Sequence, residues 1–126
     1  MWDVAGRQYF DFLCGYSSNN QGHCHPKILK AFIEQATKIT QTSRAFHNDQ
    51  MGPTCQYLSE LLGYDKFLPM NSGAEAGETA VKLARRWGYV KKGIPDNKAE
   101  VVCMEGNFWG RTITASGACD DPSRYN

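Results

Sequence analysis

The stretch that most constrains the fold runs from Lys66 to Tyr89, where a short apolar run, Lys66-Phe67-Leu68-Pro69-Met70, meets the small-residue turn Asn71-Ser72-Gly73 and then a helix-patterned segment. In that segment Ala76, Ala80, Leu83, Ala84 and Trp87 recur at helical spacing and predict a buried stripe on a helix from about Ala74 to Tyr89. Pro69 cannot donate to a sheet ladder, so the run before the turn is an edge strand or a very short one. A polar loop, Lys91–Lys98, follows, then Glu100–Met104 with Val101-Val102-Cys103 as a predicted buried strand, then the Gly-flanked loop Gly106–Arg111. Strand, helix, loop and strand at these lengths make a βαβ unit, hence an α/β fold with helices covering a sheet.

Upstream, Trp2–Val4 and Gln8–Leu13 are rich in aromatic and β-branched residues and flank Ala5-Gly6-Arg7, which predicts a β-hairpin turning at Gly6. Pro26 suits a first helical position, and Ile28, Leu29, Phe32, Ile33, Ala36 and Ile39 form one apolar stripe, which predicts a core-facing helix over Pro26–Lys38. A further helix is expected over Met51–Leu62, with Cys55, Leu58, Leu61 and Leu62 inward and Gly63 as a left-handed cap. The start inside a structural unit and the end at Asn126 lead us to expect a fragment of a larger protein.

Composition removes several classes of function. Of the 126 residues, 41% are hydrophobic and 12% aromatic, which is globular rather than disordered composition. With 14 basic against 13 acidic residues the formal charge is +1, and no basic run exceeds two residues, so the field that nucleic acid or an anionic membrane favours is absent. The apolar stretches fall short of the roughly 20 residues a bilayer span needs, and Met1 leads into Trp2-Asp3-Val4 without a basic-then-apolar pattern. We therefore expect neither nucleic acid nor membrane as a partner. The five cysteines, Cys14, Cys24, Cys55, Cys103 and Cys119, form no CxxC pair and fit reduced thiols.

Two segments carry chemistry. Asn71–Glu78 opens a helix with small residues, which leaves backbone N–H groups unpaired beside the positive end of the helix dipole and so suits an anion such as phosphate. Ser72 adds a hydroxyl donor and Gly73 allows close approach. The same residues also satisfy an ordinary capping box, Ser72 with Glu75 three residues on. In Gly106-Asn107-Phe108-Trp109-Gly110-Arg111-Thr112, two aromatics between glycines follow a predicted strand, where open α/β sheets bind ligands. A flat cofactor stacked on one ring and a ring plugging a core gap are both open readings of that spacing. His23, Cys24 and His25 lack a second cluster, so no metal site is expected.

Taken together, Ser72-Gly73-Ala74-Glu75-Ala76 at a helix start, the Phe108-Trp109-Gly110-Arg111-Thr112 loop and Gly22-His23-Cys24-His25-Pro26 upstream resemble the class III pyridoxal 5′-phosphate (PLP) dependent aminotransferases. The resemblance spans the chain, from Trp2–Phe12 onward. Within the class, Gln21–Pro26, Thr42-Ser43-Arg44-Ala45-Phe46, Leu68–Asn71 and above all Asn107–Thr112 resemble the members that act on ornithine, since most relatives carry His where Trp109 stands. The resemblance implies that Ser72, Gly73 and Ala74 bind the PLP phosphate, that Phe108 stacks on its ring, and that Tyr16 and Trp109 line the substrate pocket. The chain departs from the pattern of the animal members at Ala74, where Val is familiar, and at His47, where an aromatic follows Phe46.

The resemblance further implies PLP fold type I, a large domain around a mostly parallel sheet with flanking helices, preceded by the hairpin and helix of an N-terminal segment. The expected organisation is residues 1–40 for that segment and 41–126 for the start of the PLP-binding domain. No catalytic residue is expected within the chain. The lysine that carries the cofactor lies beyond Asn126 in the family, and none of Lys27, Lys30, Lys38, Lys66, Lys82, Lys91, Lys92 or Lys98 stands at a matching position. The expected reaction of the parent protein moves the δ-amino group of ornithine to 2-oxoglutarate, giving glutamate semialdehyde and glutamate, in a homodimer. The expected compartment is cytoplasmic, with the mitochondrial matrix as alternative. Alternatives for function are another class III enzyme, acting on acetylornithine, 4-aminobutyrate or lysine, and a non-catalytic anion-binding or dimerisation fragment. Finally, propensity favours a strand at Thr112–Ala115 whereas the family continues Thr112 into a short helix, the reading adopted.

Overall fold

Helices form where apolar spacing and end signals coincide. In the computed structural model, which describes residues 1–124, α1 spans Pro26–Ala36, α2 Met51–Leu62, α3 Gly73–Val90 and α4 Ile113–Gly117, with a 3₁₀ turn at Pro122–Arg124. Pro26 occupies the first turn of α1 as expected, while the helix stops two residues short of Lys38. There the Thr37 hydroxyl donates to the carbonyls of Ile33 (3.1 Å) and Glu34 (3.0 Å), closing the end. Gly63 caps α2 in the left-handed conformation, φ 71° and ψ 31°. At α4 the Thr112 hydroxyl accepts from the Ala115 amide, so an N-cap overrides the strand propensity of Thr112-Ile113-Thr114.

The backbone divides into two compact units, Met1–Asp49 and a second from Gln50 onward. In the first, the expected hairpin is reduced to a single antiparallel bridge, Trp2 to Gln8. The Asp3 carboxylate explains the tight loop, for it accepts from the amides of Ala5 (2.9 Å) and Arg7 (3.0 Å) and from Arg7 Nε (2.7 Å). These contacts, the Arg7 amide foremost, hold the Asp3 carboxyl below its usual range.

The expected sheet is likewise not formed among the described residues. Among the described residues neither Lys66–Met70 nor Glu100–Met104 is a strand. A strand exists only with a ladder partner, and these segments have none among the described residues. Val102 accordingly stands 93% exposed. The predicted core faces are open for the same reason. Ile28, Leu29, Phe32 and Ile33 of α1 are all exposed, and Ala115 at 2% exposure is the one buried apolar side chain among the described residues.

The face that α3 uses differs from the predicted one. Leu83 and Trp87 of the expected stripe are exposed, and Thr79 is partly covered, whereas Ala74, Gly77, Glu78, Val81, Gly88 and Tyr89 make up the more covered side. Their spacing also fits one face of a helix. A hydrophobicity pattern passes over this face because Gly77 and Gly88 carry no side chain and Glu78 is charged.

Candidate functional site

In the second unit the two expected segments are brought together by close packing. Ser72, extended at φ −149° and ψ 165°, is the N-cap of α3, and its hydroxyl oxygen accepts from the Glu75 amide at 3.3 Å. Glu75 Oε2 in turn accepts from the Asn71 amide at 2.8 Å, a capping box displaced by one residue. The hydroxyl proton of Ser72 is left available for donation. The amides of Gly73 and Ala74, first in the helix, have no intrahelical carbonyl to bond. A Cβ built on Gly73 meets nothing within 4 Å, so the space beside this turn is open.

Trp109 and Gly110 of the aromatic loop lie against the first turns of α3. A Cβ on Gly77 would stand 2.5 Å from Trp109 Cε3, and one on Gly110 would stand 3.0 Å from the Ala74 Cβ and 3.5 Å from that of Ala115. Gly110 is thus the junction of α3, the loop and α4. The loop is fixed from its other side by Asn107, whose amide nitrogen donates to the carbonyls of Met104 (2.7 Å) and Ala118 (2.9 Å). The Gly106 amide donates to Asp120 at 2.9 Å. Between these anchors Phe108 keeps 57% of its surface exposed. The Arg124 guanidinium lies over its ring, 4.8 Å from the centroid, within cation–π range.

Arg124 also pairs with Asp121 at 3.1 Å. The Asp121 carboxyl is held below its usual range, first by the Ser123 hydroxyl and then by the Ser123 amide. Gly110, Arg111, Ser116, Cys119, Ser123 and Arg124 line a recess beside the loop. Two guanidinium-bearing residues make that recess suited to an anion. The sequence reading did not single out Asn107, Arg111 or Arg124 as site residues. A polar side chain between a strand-like segment and a Gly-flanked aromatic pair was the available signal for Asn107.

Tyr16 belongs to the first unit and is 88% exposed. It lies in Cys14–Ser17, a single turn in which Cys14, Gly15, Tyr16 and Ser17 all have positive φ, at 50°, 58°, 56° and 69°. Such a left-handed turn is costly for residues other than glycine. Asp11 holds it from below, accepting from the amides of Leu13 (3.0 Å) and Cys14 (2.9 Å), while His23 Nε2 lies 3.3 Å from its other oxygen. The Cys14 amide, followed by His23, keeps the Asp11 carboxyl below its usual range. The Asx pattern of Asp11 was legible in principle, but the left-handed run was not. His25, expected to cap or pack at α1, makes no side-chain cap bond and has its Nδ1 buried without a hydrogen-bond partner.

The Aminotransferase class-III family model matches residues 1–126. The chain is 57% identical over 126 residues to "Ornithine aminotransferase, mitochondrial" of Rattus norvegicus, covering 100% of this chain and 29% of that protein. It is 57% identical over 125 residues to the protein of the same name from Drosophila ananassae, covering 99% and 29%. With the ornithine aminotransferase of Halalkalibacterium halodurans it shares 61% over 113 residues, 90% of this chain and 28% of that protein. Among solved structures, the ornithine aminotransferase of Toxoplasma gondii ME49 superposes with a TM-score of 0.95 at 50% identity, covering 99% of this chain and 30% of that one. A second structure of the Toxoplasma gondii enzyme is described as having partial occupancy of PLP at its active site. The chain thus spans about 30% of the length of the relatives it matches. With a match over its whole length and this backbone agreement, the chain belongs to the class III aminotransferase family, with the PLP-dependent fold of that family.

Proposed function

We propose that the protein carrying this chain transfers the δ-amino group of ornithine to 2-oxoglutarate, giving glutamate semialdehyde and glutamate, with PLP as cofactor. The observation that supports this reading is the packing of the Trp109-Gly110 loop onto the first turns of α3, which brings the aromatic pair and the start of that helix into one unit. The residues fit PLP: an open space stands at Gly73, two helix-start amides and the Ser72 hydroxyl can donate to a phosphate, and the Phe108 ring is exposed for stacking.

PLP, when bound, supplies an electron sink for breaking bonds at the amine-bearing carbon of the substrate. Ser72, Gly73 and Ala74 would hold its phosphate, and Phe108 would hold its ring flat. Trp109 would wall the substrate side and exclude water, and Tyr16 would hold the α-amino end of ornithine so that the distal amine reacts. The lysine and the acidic partner of the ring nitrogen would come from the part of the relatives' length that this chain does not span. That part would also supply the ladder partners that make Glu100–Met104 and Lys66–Met70 strands of a mostly parallel sheet with flanking helices, and would complete a hairpin at residues 2–13. The boundary between the N-terminal segment and the PLP domain is proposed near residue 40, and a homodimer as the working form.

The test compares two proteins. The full-length protein should transaminate ornithine in preference to acetylornithine, 4-aminobutyrate and lysine, and the 126-residue chain should not turn over. Preference for another amine would replace the substrate assignment, and sustained turnover by the chain would overturn the assignment of the lysine to the remainder. For the compartment, the cytoplasm is proposed with the mitochondrial matrix as alternative, the rat and fly relatives being named mitochondrial, and cell fractionation separates the two.

A further inference from the structure

We propose that Gly77 is a positioning residue of the cradle: its lack of a side chain, one turn into α3, makes the slot that seats the Trp109 indole and so fixes where Phe108 stands. The inference rests on the cofactor reading above and goes beyond it to a residue that touches no cofactor.

Glycine inside a helix is destabilising relative to alanine, so an interior glycine calls for a reason in its surroundings. At Gly77 the reason is on three ring atoms. A Cβ there would lie 2.5 Å from Trp109 Cε3, 2.9 Å from Cζ3 and 3.3 Å from Cδ2. These belong to a rigid bicycle, which cannot yield by bending its tip and must move as a whole.

The next residue along the loop cannot absorb that movement. Gly110 is confined between the Cβ atoms of Ala74 and Ala115, and Asn107 is tied to two carbonyls on the other side of the aromatic pair. With Asn107 and Gly110 both anchored, displacement at Trp109 passes to Phe108. Gly77 also stands four residues after Gly73, so helical periodicity puts the slot on the same face as the phosphate turn. Of the other helix glycines, Gly52, Gly73 and Gly117 face open space, and a Cβ on Gly88 would meet only the end of the flexible Ile94 side chain, 3.1 Å from its Cδ1.

The experiment uses the full-length protein that carries this chain, freed of cofactor and with every tryptophan but Trp109 replaced by Phe, so that emission reports Trp109 alone. The ligand is pyridoxamine 5′-phosphate, which has the ring and phosphate of PLP but no aldehyde to react with lysines at large. Gly77→Ala should shift Trp109 emission to the red, raise its quenching by acrylamide and weaken ligand binding on the order of tenfold. Gly52→Ala should do none of these. In a Trp109→Ala background, with binding followed by calorimetry, adding Gly77→Ala should cost no further affinity and should raise the melting temperature, as alanine does in an unobstructed helix.

Unchanged emission and affinity in Gly77→Ala would overturn the inference. So would an equal affinity loss, or an equal loss of helicity, in the Trp109→Ala background, since the effect would then not pass through the indole. Absence of binding by the otherwise unsubstituted full-length protein is a different failure, that of the cofactor reading, and is told apart because the comparison begins from a protein that binds.

Discussion

The turn that carries Tyr16 and the loop that carries Phe108 and Trp109 are held by opposite means. Around Tyr16 the backbone itself is strained, four successive residues having positive φ, and one carboxylate, Asp11, satisfies the amides at its start. Around Trp109 the anchors are steric and distributed: Gly77 and Ala74 on one helix, Ala115 on another, and Asn107 bonded to two carbonyls. The first arrangement depends on local polar chemistry, and the second on matched volumes in elements distant in sequence. Each should therefore break under a different perturbation.

The largest effect is expected from Asn107→Ala. It removes two hydrogen bonds and leaves the Ala118 carbonyl without that partner, a loss of about 2 kcal/mol. Chemical denaturation should register it, and Phe108 should become more mobile by NMR. A loss below measurement error would mean that packing alone fixes the loop. A smaller effect of opposite sign sharpens the contrast from the other side. Ser17→Gly should stabilise the first unit by about 1 kcal/mol, because glycine accepts φ 69° without the left-handed penalty. A destabilised variant would show that the serine side chain outweighs the strain.

The smallest effect at neutral pH concerns Asp11. Its folded carboxyl titrates below the ordinary value, so its contribution is fully present above the unfolded pKa, near 3.8, and is lost as pH falls through the lowered folded value. The Leu13 and Cys14 amide resonances should hold steady from pH 7 to about 5 and move only below about 4. Movement near neutrality would assign the turn to a different group.

The same contrast explains what could be read in advance. The bounds of α2 and the cap at Gly63 follow from a local apolar pattern and a residue free to adopt positive φ. Ser72 and Glu75 announce the start of α3 in the same way. The expectation that Thr112 leads into a helix rested on family resemblance, and the N-cap bond to Ala115 supplies its physical cause. By contrast, the packed face of α3 escaped notice because it includes Gly77 and Gly88, which have no side chain, and the charged Glu78. The left-handed turn at Cys14–Ser17 escaped because only Gly15 among its residues favours that geometry. Strands at Lys66–Met70 and Glu100–Met104 were inferred from composition, which fixes propensity but cannot supply a ladder partner. Arg124 over Phe108 joins residues 16 apart through a turn that has no periodic signature.

The central claim is that the start of α3 and the Phe108 face form one cradle for a phosphorylated pyridine. The most direct measurement is a titration of the chain with pyridoxamine 5′-phosphate, following Trp109 emission with Trp2 and Trp87 replaced by Phe. The account predicts saturable quenching, competed by inorganic phosphate and lost in Phe108→Ala. Quenching that never saturates, or that persists unchanged in Phe108→Ala, would contradict it.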